Sequence, residues 1–188
     1  MTGSGPAALL VIDVQQGLDD PRWGERNNPD AERRMAALLA AWRAAKWPVI
    51  HVQHMSQHPE SPLRAGLPGN ALKPEVLPRD GEPLFQKRVN SAFIGTELDS
   101  SLKGRGATTL VVVGFTTDHC VSSTVRMAGN LGYRTIVVAD GTATFERRSA
   151  DDKPVGPEII HQIHLLSLQG EFAEVLDTDL VLALSEEE

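Results

Sequence analysis

A carboxylate, an ammonium and a thiol each follow a run that reads as a buried strand or a short apolar stretch. Asp13 closes Ala7–Ile12, Lys87 follows Leu84 and Phe85, and Cys120 comes just after Val111-Val112-Val113-Gly114. The segment Gly114-Phe115-Thr116-Thr117-Asp118-His119-Cys120-Val121 is the most informative in the chain. If Thr117 or Asp118 caps the next helix, Cys120 lies in its first turn. Unpaired N–H groups and the positive helix end there favour a thiolate and lower its pKa. A thiolate attacks a carbonyl with little help, and the same N–H groups can hold the oxyanion that results. Each residue also has a plain structural reading: a lone cysteine is commonly inert core, a strand-terminal Asp caps turns, and a lysine usually lies on the surface.

The elements that must position these groups are legible as alternation. Buried-strand runs at Ala7–Ile12, Val49–Val52, Thr109–Val113 and Thr135–Ala139 are separated by helix-length segments, which implies parallel pairing. Pro29–Lys46 carries Met35, Leu38, Leu39 and Trp42 at helical spacing, with Asp30 as its N-terminal cap. Shorter helices are expected from Thr96 to Leu102, closed by Gly104 and Gly106, from Asp118 to Leu131 before Gly132, and over Pro157–Leu168 before Gly170. Glu171–Leu176 reads as a last strand, and the proline-rich stretch Met55–Pro83 as an irregular loop too long to be idle. A doubly wound α/β sheet follows, with its ligand beyond the carboxyl ends of the strands.

Composition narrows the partners. The 188 residues carry a net charge of -7, so no basic surface attracts nucleic acid or anionic lipid. One cysteine forbids an intrachain disulfide. No apolar run approaches the roughly 20 residues that span a bilayer, and no Lys or Arg precedes Arg22. A cytoplasmic protein with no membrane partner is expected. The Glu186–Glu188 end reads as a solvated tail.

Three pieces in order, Leu10-Val11-Ile12-Asp13-Val14-Gln15, Gln86-Lys87 with Ser91-Ala92-Phe93 and Thr96-Leu98, and Gly114–Val121, resemble the isochorismatase-like cysteine hydrolase family over nearly the whole chain. The resemblance implies one domain over residues 1–188, a Rossmann-like six-stranded parallel sheet with helices on both faces, and a catalytic triad of Asp13, Lys87 and Cys120. It also implies a cis peptide between Phe115 and Thr116 that aims the backbone N–H groups of Thr116 and Cys120 at an oxyanion. Asp13 then takes the thiol proton and returns it to the departing amine or activates water, while Lys87 keeps the two anions from repelling one another. Each close contact of that cation is worth roughly 4 kcal/mol before desolvation, at an effective dielectric near 20. Dimers or larger rings of dimers are implied too, with Met55–Pro83 reaching the neighbouring subunit's pocket.

Nicotinamidases of this family carry Asp-x-His metal ligands after the second strand, where this chain reads His51-Val52-Gln53-His54-Met55-Ser56-Gln57-His58. His54 replaces the carboxylate, and His51 and His54 fall on opposite faces of a strand, so structural or substrate-contact roles outweigh a metal site. His161 and His164 read as surface or core residues. Gln15, Trp23, His54, Asn90, Phe93 and Phe145 are candidate substrate contacts, with packing or capping as the alternative for each. No cofactor motif is present. The leading expectation is a metal-independent hydrolase that cleaves a C–N bond of a small amide, imide or ureido compound through a thioester. A vinyl ether hydrolase using Asp13 and Lys87 is the alternative, and a catalytically silent binding subunit the second.

Overall fold

The computed structural model describes residues 7–186. The side chains of Glu186–Glu188 lie outside the described part, and with them the expected solvated tail. Strand β1 (Ala7–Ile12) is buried along its whole length. It is joined by β2 (Val49–His54), β3 (Leu84–Lys87), β4 (Thr109–Phe115) and β5 (Arg134–Ala143). Strands β6 (Arg147–Arg148) and β7 (Pro154–Val155) form a separate antiparallel pair, and β8 (Glu174–Leu176) completes the main sheet. That sheet has six strands in the order β3-β2-β1-β4-β5-β8, all parallel, so the doubly wound α/β architecture is as expected.

Period-2 alternation sorts the apolar side chains into two cores. Leu9 and Val11 face Met35, Leu38, Leu39 and Trp42 of α1 (Ala31–Ala45) and Val181 of α5 (Thr178–Glu186). Leu10 and Ile12 face Leu98 and Leu102 of α2 (Leu98–Gly104), Val125 of α3 (Ser122–Asn130), and Leu165 and Leu168 of α4 (Pro157–Leu168). Each such side chain contributes about 2 kcal/mol by leaving water. Trp42 Nε1 also donates to the Ala7 carbonyl at 2.8 Å, tying α1 to the start of β1.

Several boundaries differ from the expectation. Strands β2 and β5 run past their apolar stretches because polar residues at their tips find partners inside the protein, and β4 continues through Gly114 and Phe115. Gln53 Nε2, for example, donates to the Asn70 carbonyl at 2.8 Å. Asp30 holds the N-cap position of α1 as expected, but its side chain makes no capping bond; its carboxylate pairs with Arg33 at 2.8 Å instead. Helix α5 was not anticipated, since Leu180-Val181-Leu182-Ala183-Leu184 shows no clear helical stripe. The stretch 55–83 is irregular apart from single turns at Pro68–Asn70 and Pro74–Val76. Asn70 and Lys73 anchor it: Asn70 Nδ2 donates to the carbonyls of His54 (2.9 Å) and Leu63 (2.7 Å), and Lys73 Nζ reaches Asp19 (2.5 Å) and Glu32 (2.6 Å).

The winding reverses between β1 and β4, and there the two strands nearly touch. Gly114 has φ +123°, and a Cβ added to it would lie 2.0 Å from the Ile12 carbonyl oxygen. Gly114→Ala is therefore expected to lose about 4 kcal/mol or more of stability, a backbone collision with no flexible atom to yield. Denaturant titration checks this, and a loss below about 1 kcal/mol would contradict the close approach.

Candidate active site

Asp13 is the first residue beyond β1 and takes φ +53°, a left-handed conformation that Asp tolerates better than most side chains. The turn directs its carboxylate across the end of the sheet. Lys87 ends β3, paired in register with His54 at the end of β2, and its side chain is fully buried. Its ammonium donates to Asp13 Oδ2 at 2.5 Å, Cys120 Sγ at 3.1 Å and His54 Nδ1 at 3.2 Å. A lysine ammonium has three N–H bonds, so each acceptor takes one. The side chains of Asp13, Lys87 and Cys120, 74 and 33 residues apart along the chain, thus meet at one point.

The charges follow from burial. Desolvation would pull the Lys87 pKa down, but the neighbouring Asp13 and Cys120 outweigh it and hold the ammonium protonated. Burial raises the Asp13 pKa, partly offset by Lys87, so the carboxylate is a stronger base than one in water. Its other oxygen, Oδ1, is buried with no hydrogen-bond partner among the described residues. Cys120 departs from the expected lowered pKa. Burial and the Asp13 charge push its thiol well above the ordinary range, and Lys87 recovers only part of this. The resting state is a neutral thiol beside an ion pair.

The local backbone also differs from the expectation. Residues Thr117–Val121 form a wide π-turn ahead of α3, so Cys120 precedes the α-helix rather than occupying its first turn. Neither Thr117 nor Asp118 caps it. Thr117 Oγ1 hydrogen-bonds His161 Nδ1 at 2.8 Å, and Asp118 accepts from Thr144 Oγ1 at 2.5 Å and Arg147 Nε at 2.9 Å. His161 is a buried core histidine that holds this turn. The Phe115–Thr116 peptide bond is cis.

A cavity of about 550 Å³ opens over these groups, lined by Asp13, His54, Asn90, Thr116 and Cys120 with Leu18, Trp23, Leu63 and Phe115 as apolar walls. Of the candidate contacts, Trp23, His54 and Asn90 line it, and Asn90 Oδ1 lies 3.8 Å from Cys120 Sγ. Gln15, Phe93 and Phe145 do not. Gln15 is fully buried and clamps the His54 backbone, accepting from its N–H at 2.9 Å and donating to its carbonyl at 3.1 Å. Phe93 turns away to stack on Tyr133 at 5.9 Å, and Phe145 packs behind Trp23 at 6.1 Å. Arg22, Leu63, His119 and Arg147 were missed. The irregular loop was the only signal for Leu63, and no spacing distinguishes Arg147.

The two histidines of β2 do not converge on one site. His51 points to Glu82, 2.9 Å away, on the side of β2 away from His54. Among the described residues, the one His, Cys, Asp and Glu group tight enough to share a cation is Asp13, His54 and Cys120, within 4.8 Å of one another. The Lys87 ammonium already donates to all three.

Comparison with known proteins agrees with this architecture. The sequence model of the isochorismatase domain matches residues 7–179. The isochorismatase family protein YrdC of Bacillus subtilis, uncharacterized in function, is 45% identical over 93% of this chain and 94% of its own length. The ureidoacrylate amidohydrolase RutB of Methylobacterium radiotolerans is 30% identical over 90% of this chain and 75% of its own. A crystal structure of a protein assigned to the same family in Chromobacterium violaceum superposes with a TM-score of 0.95 at 44% identity, covering 100% of this chain and 97% of that one. In sequence and in fold, the chain belongs to the isochorismatase family.

Proposed function

We propose that this protein is a cysteine hydrolase that cleaves a C–N bond of a small amide-type substrate, with Asp13, Lys87 and Cys120 as its catalytic residues. One observation carries the reading: a single buried ammonium bridges the carboxylate and the thiol beneath an open cavity. The relationship to a ureidoacrylate amidohydrolase supports the choice of a C–N bond.

The chemistry follows from the charges. The neutral Cys120 thiol gives its proton to Asp13 as sulfur attacks the carbonyl carbon, so free thiolate never needs to accumulate. The Lys87 cation offsets the negative charge at both neighbours throughout. The backbone N–H groups of Thr116 and Cys120 receive the oxyanion. Protonated Asp13 returns its proton to the leaving nitrogen as the C–N bond breaks, leaving an acyl thioester on Cys120. Water, deprotonated by Asp13, then hydrolyses the thioester and frees the acid.

The test is a screen of small amides, imides, ureido acids and isochorismate with wild type and Cys120→Ala in parallel. Turnover of one C–N class by wild type and none by Cys120→Ala supports the reading, whereas Cys120→Ala retaining wild-type rates would overturn it. Because Lys87 takes the place a metal ion would hold among Asp13, His54 and Cys120, full turnover is expected after dialysis against a strong chelator. Activity that vanishes and returns with added zinc or manganese would contradict this part.

A further inference from the structure

His54 stands where Asp13, Lys87 and Cys120 converge, yet the proposed chemistry gives it nothing to do. Its Nδ1 accepts the third N–H of Lys87 at 3.2 Å. A ring nitrogen that accepts from an ammonium carries no proton, so in neutral His54 the proton sits on Nε2. Burial and the adjacent Lys87 charge both keep the ring neutral. Among the described residues Nε2 has no hydrogen-bond partner, and the side chain lines the cavity. The ring cannot turn over without losing its bond to Lys87. Its backbone is fixed too, since Gln15 clamps the His54 N–H and carbonyl together. A rigid N–H donor is therefore held at the cavity wall with no acceptor supplied by the protein.

Strand order indicates which part of a substrate meets it. β2 and β4 flank β1 on opposite sides, so His54 and Thr116 approach the Asp13 carboxylate from opposite directions. If the acyl oxygen lies against the Thr116 and Cys120 N–H groups, the His54 donor is on the leaving-group side. Ammonia or a simple amine offers it no acceptor. A leaving nitrogen attached to a second carbonyl does.

We propose that His54 Nε2 donates a hydrogen bond to a carbonyl oxygen borne by the leaving nitrogen, so that the preferred substrates are imides and N-acylureas rather than simple amides. This rests on the cysteine-hydrolase reading and deepens it. As the C–N bond breaks, its electron pair passes to nitrogen and spreads onto that second oxygen, where the His54 N–H meets growing negative charge. The bond therefore strengthens toward the transition state and favours kcat. Protonated Asp13 supplies the proton to nitrogen, the product is a neutral primary amide or urea, and His54 keeps its own proton throughout.

The experiment compares diacetamide, an imide, with acetamide, which delivers the same acetyl group, in wild type, His54→Phe and His54→Asn. Intrinsic reactivity cancels when each variant is compared with wild type on the same substrate. His54→Phe is expected to lose on the order of 30-fold more kcat/KM on diacetamide than on acetamide, a penalty typical of one strengthened hydrogen bond. His54→Asn, which can both accept from Lys87 and donate to substrate, is expected to recover part of it. Equal losses on the two substrates would overturn the proposal, because damage to Lys87 alone affects both alike. A 15N spectrum of the resting protein showing the proton of His54 on Nδ1 would also overturn it while leaving the hydrolase reading intact. Wild type that neither turns over these compounds nor acetylates Cys120 would instead sink the hydrolase reading, and this proposal with it.

Discussion

Asp13→Asn is expected to abolish turnover while making Cys120 easier to alkylate. The two effects have opposite signs because Asp13 has two opposing effects on the thiol. As base and acid it carries the proton in both halves of the reaction, so its loss should cost about 10³-fold or more in kcat. As an anion beside Cys120 it helps raise the thiol pKa, together with burial, against the lowering effect of Lys87. Neutral asparagine removes that repulsion and leaves Lys87 facing the sulfur alone, so the thiolate fraction at a given pH rises. Iodoacetamide labelling followed by mass spectrometry checks this, with wild type labelling more slowly than free cysteine near neutral pH. Slower labelling of Asp13→Asn than of wild type would show that the carboxylate activates the resting thiol, which a neutral resting thiol held up by Asp13 does not allow.

Lys87→Met should unfold more readily as well as lose activity. It leaves a buried carboxylate 3% exposed at its side chain with no counter-charge, a change that typically costs about 3–5 kcal/mol. In a protein of this size that is a fall in Tm on the order of 10 °C. The loss depends on pH in a fixed direction. Burial already raises the folded Asp13 pKa above its ordinary value of 3.8, and without Lys87 it rises further. The folded variant then holds a proton that the unfolded chain has released. The deficit should be small near pH 4, grow as pH rises through the folded pKa of Asp13, and level off above it. Thermal denaturation of both proteins from pH 4 to 8 reads this out, and a deficit that shrinks with rising pH would refute the buried ion pair as its cause.

The sheet was readable because β1 and β4 are apolar on both faces, as a covered parallel strand requires. The placement of Asp13, Lys87 and Cys120 was readable because each lies at or just beyond the carboxyl end of a strand, and the fold brings those ends to the same rim. What the sequence hid lies in side-chain direction at the strand tips. Gln15 follows Asp13 by two residues and looked equally exposed to ligand, yet its amide is spent on the backbone of His54 and Asn70. Phe93 lies near Lys87 in sequence, but the chain turns after Lys87 and carries the ring onto Tyr133. The thiol pKa was misread because a helix start was visible while the burial of the sulfur, and the carboxylate from a distant strand, were not. His54 was seen as a pocket residue, but its proton position follows only from the lysine that a different strand places against it.

The claim that a lysine-bridged carboxylate and thiol perform covalent hydrolysis has a direct test. Wild-type protein is quenched in acid during turnover of a slow amide substrate, and its intact mass and peptides are measured. An acyl adduct on Cys120 that appears during turnover, decays when substrate is exhausted, and is missing from Cys120→Ser is the expected result. Steady turnover with no adduct at any time, and a Cys120→Ser variant as fast as wild type, would contradict it.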